Sequence, residues 1–392
     1  MKTSLRLLHT ADWHLGKTLK GVDRTPEVAS ALEEVLRLVR SEKVDLVLVS
    51  GDLMDHPQPS TEAEALLVEF FLRLAEAKVS AMAIAGNHDS GERMERVYRQ
   101  LLGRFGVELR GQLAFAHEGG VVDRGGLRVA LVPFLSERRL AKTLELPPEE
   151  RHLAYAEGMR RLLAHLAQEG TPDVYLAHFT VAGARVGGGE YVLHLAEHYA
   201  VPPGALPGAR YIALGHLHAL QQVAENAWYP GSLIPLDFGA SERAERGVVL
   251  VELPLDRHLP ARVHPMPTNW GKPLRTFRVR VSQVQESPGE RARILGEIEA
   301  FPGWARVVVQ GPMHLELRDT LKEMERVLEV AWEEERKGDG GEAHPPPSAL
   351  EEAYRQYLME AGRWEGDPPG EELVHSFAEL RQEVEEHEAG ED

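Results

Sequence analysis

Short apolar runs recur along the first part of the chain, and each stops at a polar motif. Residues 5–8 lead to Asp12, residues 44–49 to Asp52, and residues 80–85 to Asn87. Residues 174–177 and 211–214 lead in the same way to His178 and His216. Near-continuous runs of this length, rich in Val, Ile and Leu, predict strands buried on both faces of an α/β sheet. Between them, apolar positions at helical spacing predict helices over 26–40 and 61–77. Ligand sites of open α/β sheets lie beyond the carboxyl ends of the strands, so the five motifs should converge on one edge.

After residue 202 the pattern changes to short strands with turn signals, at 221–224, 227–229, 247–253 and 262–266. These predict a second sheet packed on the first. The chain breaks at 267–273 and then reads strand (276–281), helix (289–300), strand (305–310) and helix (320–336). Residues 338–347, rich in Gly and Pro, read as a linker. Beyond it, Leu350, Tyr354, Tyr357, Leu358 and Ala361, then Leu373, Phe377, Leu380 and Val384, fall at helical spacing. The expected division is therefore an α/β domain over 1–270, a small α/β cap over 271–337, a linker over 338–347 and an acidic helical tail over 348–392.

Composition narrows the chemistry. No apolar run approaches the roughly 20 residues of a membrane-spanning helix, and the first ten residues lack a signal-peptide core, so a soluble, cytoplasmic protein is expected. The absence of cysteine among 392 residues excludes disulfides, thiolate catalysis and sulfur-ligated zinc. Metal ligands would have to come from His, Asp, Glu and Asn. The net charge of -18 argues at first against a nucleic-acid substrate. Residues 346–392, however, carry 3 Lys and Arg against 14 Asp and Glu, so most of the acidity lies in the tail.

Each motif has a bland reading and a functional one. Asp12 and His14, at i and i+2 around Trp13, can point at one ion. Asp52 after Gly51 is a turn residue or a carboxylate that bridges two ions. Gly86-Asn87-His88-Asp89 is a simple turn, or it brings an amide ligand and a histidine that reaches substrate. His178 alone reads as a core histidine, and His216-Leu217-His218 could equally be a fragment of a mononuclear zinc site. Jointly they supply a bridging carboxylate and a full set of oxygen and imidazole donors, which suits borderline-hard divalent ions: Mn first, with Fe, Zn or Mg as alternatives.

The order Asp12-x-His14, Gly51-Asp52, Gly86-Asn87-His88-Asp89, His178, Gly215-His216-x-His218 resembles the calcineurin-like metallophosphoesterase superfamily. More narrowly, residues 9–16, 51–53, 86–90 and Tyr229-Pro230-Gly231-Ser232-Leu233 resemble the bacterial SbcD branch of the meiotic-recombination-eleven nuclease family. The resemblance covers about the first 270 residues. It implies two packed β-sheets flanked by helices, with Asp12, His14, Asp52 and His218 holding one metal. Asp52, Asn87, His178 and His216 would hold the second, and His88 would act on the substrate as the catalytic histidine. It further implies two Mn ions, a DNA substrate cleaved as duplex exonuclease and single-strand or hairpin endonuclease, an SbcC-type coiled-coil ATPase partner gripped by the tail, and a homodimer. Asp55 is expected to form a dyad with His88.

Lys17, Lys20 and Arg24 follow the first motif, and Arg93, Arg96, Arg99 and Arg104 follow the third. They read as a solvated surface or as a phosphate track for DNA, joined by Arg275, Arg278 and Arg280 on the cap. The Gly187-Gly188-Gly189 stretch reads as a surface turn or a mobile substrate loop. No Gly-rich phosphate loop ending in Lys-Ser or Lys-Thr occurs, so ATP use would belong to the partner. A phosphodiesterase acting on small molecules, and a DNA-end scaffold without catalysis, are the rival readings.

Overall fold

The computed structural model describes residues 2–144, 155–190 and 200–333. The apolar runs form two six-stranded sheets that share an apolar interior. The first runs Arg262–Thr268, Arg246–Pro254, Ser4–Thr10, Leu46–Val49, Ser80–Ile84, Val107–Arg110. The second runs Gln221–Ala224, Ala227–Tyr229, Tyr211–Gly215, Val174–His178, Leu127–Val132, Val121–Arg124. The strands that end at the motifs are parallel to their motif-bearing neighbours.

Period two divides each strand between two cores. Leu7, Leu46, Leu48, Met82 and Ile84 meet Val129, Leu131, Val174, Leu176 and Ala213 of the opposite sheet. Leu8, Val47, Val49, Ala81 and Ala83 face the helices Thr25–Ser41 and Thr61–Glu76. Helix Tyr155–Leu166 covers the second sheet on its outer side with Met159, Leu162, Leu163 and Leu166. In helix Thr25–Ser41 the buried residues Val28, Ala31, Leu32, Val35, Leu36 and Val39 form one stripe. At about 1.5–3 kcal/mol per buried Val or Leu, that stripe far outweighs the roughly 1 kcal/mol of an N-cap. Packing on the sheet, not capping, holds the helix.

The strands after residue 202 do not form a sheet of their own, contrary to expectation. Gln221–Ala224 and Ala227–Tyr229 extend the sheet that carries His178 and His216, while Arg246–Pro254 inserts antiparallel beside Ser4–Thr10. Apolar patterning fixes which residues are buried but carries no signal for which strand pairs with which. The consequence is functional: the motifs leave the ends of two stacked sheets, not one edge.

The cap also departs from the expected two strands and two helices. Leu274–Arg280, Trp304–Gln310 and Val327–Glu333 form a three-stranded parallel sheet. Helices Pro288–Ala300 and Leu315–Glu323 cover one face of it, with Ile294, Ile298, Leu317 and Leu321 over Phe277, Val279, Val307 and Val309. The helix expected to reach 336 thus stops at Glu323. Val327 and Val330 pair in register with Ala305 and Val307, where β-branched side chains pack well, and ladder pairing overrides the helical spacing. The cap meets the main domain through Leu19, Phe238 and Leu274, packed with Trp304 and Leu328. The linker at 338–347 and the tail at 348–392 lie outside the described residues. No helix among the described residues is long and apolar enough to cross a membrane.

Candidate metal centre

Pairing continues past the strand ends and carries two loops forward together. Asp12 N–H donates to the Gly51 carbonyl, His14 N–H to that of Asp52, and Leu15 N–H to that of Leu53, each at 3.0 Å. Trp13 turns the other way: it is buried, edge-on to Phe70 at 4.8 Å, with its Nε1–H on Thr10 Oγ1 at 3.0 Å. That anchor leaves Asp12 and His14 on the opposite side. Asp12, His14, Asp52 and His216 all hold positive φ, at 52°, 49°, 50° and 103°. Such backbone costs on the order of 1–3 kcal/mol per residue and persists where the surroundings over-determine it, commonly at functional sites.

The loops bring the motif residues of both sheets together. Donor atoms of Asp12, His14, Asp52 and His218 lie within 4.8 Å of one another, as do those of Asp52, His178 and His216. Asp52 belongs to both groups. Asn87 Oδ1 lies 2.8 Å from His216 Nδ1 and 3.0 Å from His178 Nε2. The main chain of the second sheet is tied in by the His216 N–H, which donates to Asp12 Oδ1 at 3.0 Å. Asp89 closes the rear by accepting from Gly86 and Met54 at 2.8 Å and from Leu53 at 3.2 Å.

Three of the imidazoles are oriented by their Nδ1 atoms. His218 Nδ1 lies 2.8 Å from the Gly188 carbonyl, His178 Nδ1 2.8 Å from that of Ser50, and His14 Nδ1 3.0 Å from Asp55 Oδ1. Acceptors of this kind require N–H at Nδ1, so a neutral ring carries its lone pair on Nε2, turned inward. His14 Nε2 and His218 Nε2 face each other at 3.2 Å. Two lone pairs at that distance repel unless a cation lies between them.

Charge leads to the same conclusion. Burial, above all, pushes the Asp12 carboxyl well above its usual range. Burial opposes ionisation of Asp52 too, but the neighbouring His178 outweighs it and holds Asp52 well down. Burial likewise opposes charge on His178, yet Asp52, Asp12 and the Ser50 carbonyl raise it to about 9. His14 is pushed down to about 4 by burial. A buried imidazolium thus supplies positive charge that divalent cations would supply better, and the donor set of carboxylate, amide oxygen and imidazole fits them.

His88 sits beside these groups. Its backbone N–H donates to Asp52 Oδ1 at 2.8 Å, and its Nδ1 lies 2.9 Å from the Asp55 carbonyl oxygen. The expected Asp55–His88 dyad therefore runs through the main chain of Asp55. The Asp55 carboxylate is engaged elsewhere, 3.0 Å from His14 Nδ1 and 3.2 Å from Lys17 Nζ. It orients His14.

The expected DNA-contacting cations are dispersed, and those after the first and third motifs are mostly paired. Lys17 lies on Asp55, Lys20 is 3.2 Å from Glu329, and Arg93, Arg96 and Arg99 lie 3.3, 3.3 and 2.8 Å from Glu64, Glu92 and Glu95. Arg24 is fully buried and forks onto Glu27 at 2.7 and 2.9 Å, so it is structural. The Gly187-Gly188-Gly189 stretch is neither a surface turn nor an exposed loop, since Gly187 and Gly188 are buried under His218. Sequence reasoning missed Glu190 and Ser241, which hold that stretch. It also missed His9, whose buried ring joins Tyr211 of the second sheet at 2.8 Å to Ser50 of the first at 2.7 Å.

The strand ends of two sheets thus place Asp52 in two adjoining groups of His and Asp donors, a site suited to divalent cations. The calcineurin-like phosphoesterase model matches residues 5–220, and the chain belongs to that family. Within it the chain is an SbcD-type member. It is 35% identical over 283 residues to the SbcD subunit of nuclease SbcCD from Rhodobacter capsulatus, covering 65% of this chain and 69% of that one. It is 29% identical over 407 residues to the SbcD subunit of nuclease SbcCD from Bacillus subtilis, covering 98% and 100%. Among solved structures, a dimetal phosphatase from Danio rerio is 12% identical with a TM-score of 0.38, covering 67% of this chain and 99% of that one.

Proposed function

We infer that the protein is a DNA nuclease that hydrolyses phosphodiester bonds at a dinuclear centre, as the nuclease subunit of an SbcCD-type complex. The observation that carries the reading is Asp52, whose carboxylate belongs to both ligand groups. Asp12, His14 and His218 complete one cation position; Asn87, His178 and His216 complete the other. Mn is the first choice for these mixed donors, with Fe, Zn or Mg as alternatives. Cations held by these residues would supply an activated water and positive charge for the phosphate under attack. His88, anchored through Nδ1, brings its other ring nitrogen to the substrate, to stabilise the phosphate and protonate the leaving oxygen. Asp55 keeps His14 in the tautomer that binds.

DNA as substrate rests on the relatives' names and on one groove. A polar groove of about 380 Å³ lies between the turn at Gly239 to Arg243 and the open face of the cap sheet, lined by Arg243, Arg278 and Arg306 together with Glu242 and Glu333. Arg243 and Arg278 make no ion pair among the described residues, unlike Arg93, Arg96 and Arg99. Residues 271–337 then form a DNA-binding cap, and 348–392, beyond the 338–347 linker, dock on an SbcC-type ATPase. Duplex exonuclease and hairpin endonuclease activity, and dimerisation through the 1–270 domain, belong to the same reading. The pairing of Lys17, Lys20, Arg93, Arg96 and Arg99 favours the rival, a phosphodiesterase for small substrates. Turnover of a chromogenic diester against linear duplex DNA, both with Mn, separates them. Preference for DNA by a large factor supports the nuclease; a diester-only enzyme refutes it.

A further inference from the structure

Glu190 is a buried carboxylate with no Lys or Arg partner among the described residues, its side chain 0% exposed. Among the described residues it accepts from main-chain N–H groups: from Gly187 at 2.6 Å, from Gly188 at 2.6 Å and from His218 at 2.9 Å. Gly188 in turn offers its carbonyl to His218 Nδ1 at 2.8 Å. Ser241, also buried, donates its hydroxyl to the Gly187 and Gly188 carbonyls at 2.9 and 3.2 Å. The glycines are there because nothing larger fits. A Cβ at Gly187 would lie 2.2 Å from the His218 carbonyl carbon, and one at Gly188 would lie 2.5 Å from Ser241 N.

A chain reversal needs none of this. A carboxylate taken out of water is costly unless its oxygens are well satisfied. Here each hydrogen bond of that carboxylate among the described residues goes either to the loop that orients His218 or to His218 itself. His178, on the other cation position, is held by Ser50 instead.

We propose that Glu190 is a positioning residue of the metal centre: through Gly188 it fixes the tautomer and pitch of His218, and so the affinity of the cation position made with Asp12, His14 and Asp52. Ser241 fastens the same loop from the opposite side. The proposal rests on the dinuclear reading above. It predicts an asymmetric defect, with one cation weakened and its neighbour untouched, which a purely structural role for the loop does not produce.

The test is titration of the metal-free full chain with Mn, by calorimetry and by electron paramagnetic resonance. Wild type should take up two equivalents and show a spin-coupled signal. Glu190→Gln should keep one equivalent at wild-type affinity, bind the other about 10–100-fold more weakly, show the spectrum of isolated Mn, and regain kcat on a chromogenic diester at excess Mn. Two equivalents at wild-type affinity with an unchanged coupled spectrum would overturn the proposal. Should Glu190→Gln not fold, Ser241→Ala removes a single hydroxyl and should weaken the same position less; unchanged binding there overturns the proposal equally. A wild type that takes up no cation overturns the dinuclear reading beneath it.

Discussion

Gly86→Ala probes how closely two neighbouring loops of the first sheet must approach. A Cβ at Gly86 would stand 2.1 Å from Asp52 Oδ1 and 2.4 Å from Asp52 N. Ordinary contact begins at 3.4 Å, so the carboxylate oxygen must retreat by about 1.3 Å. Metal–ligand distances tolerate only about 0.2 Å, and Asp52 belongs to both groups, so both cation positions are lost together. Overpacking itself should cost about 1–3 kcal/mol. The larger effect is on linkage. Mn at 100 times its dissociation constant stabilises the wild type by about 2.7 kcal/mol per site, and the variant should forfeit that increment. Urea unfolding with and without Mn, with bound metal counted after dialysis, reads both numbers. A variant that keeps two ions and the full Mn-dependent increment would refute the close-approach reasoning.

Asp55 supplies a pH prediction. Burial would raise its carboxyl, but His14 and Lys17 outweigh burial and hold it down to about 2 against an ordinary 3.8. A folded-state pKa below the unfolded one gives stability present above pH 4 and lost as pH falls toward 2, about 2 kcal/mol in all. Urea unfolding of metal-free Asp55→Asn should lack that segment of the pH dependence; a curve parallel to wild type contradicts the assignment. Tyr211→Phe removes the hydroxyl that buried His9 meets across the sheets and should cost about 1–3 kcal/mol by thermal unfolding without changing the metal count. Arg243→Gln with Arg278→Gln should lower the salt slope of DNA binding by about 2 and leave diester turnover intact. Arg93→Gln with Arg96→Gln and Arg99→Gln should change it little, because those side chains already face glutamates.

The ligand motifs were legible because each couples a buried strand to a residue type with few other uses at that position. Asp12, Asp52 and Asn87 follow strands whose apolar runs are unmistakable, and both layers of the core follow from their alternation. Pairing was not legible. Nothing in Arg246–Pro254 announces that it lies beside Ser4–Thr10, so the split of the site between two sheets emerged only in three dimensions. Val327–Glu333 was misread for a related reason, since its strand character depends on pairing with Trp304–Gln310. The Asp55–His88 contact was foreseen as a pair but not as a main-chain bond, because sequence places a residue and not the atom it presents. Glu190 escaped notice since a lone glutamate after three glycines has no signature. Its role depends on His218, distant in sequence.

The central claim is that Asp52 joins two cations while His88 works on the substrate without holding either. Cleavage of end-labelled duplex DNA with Mn, with bound metal counted on the same samples, tests it for wild type, Asp52→Ala and His88→Gln. The account predicts that wild type holds two ions and cuts, His88→Gln holds two ions and does not cut, and Asp52→Ala does neither. A His88→Gln protein that loses metal or cuts at the wild-type rate, or an Asp52→Ala protein that keeps both ions, would contradict it.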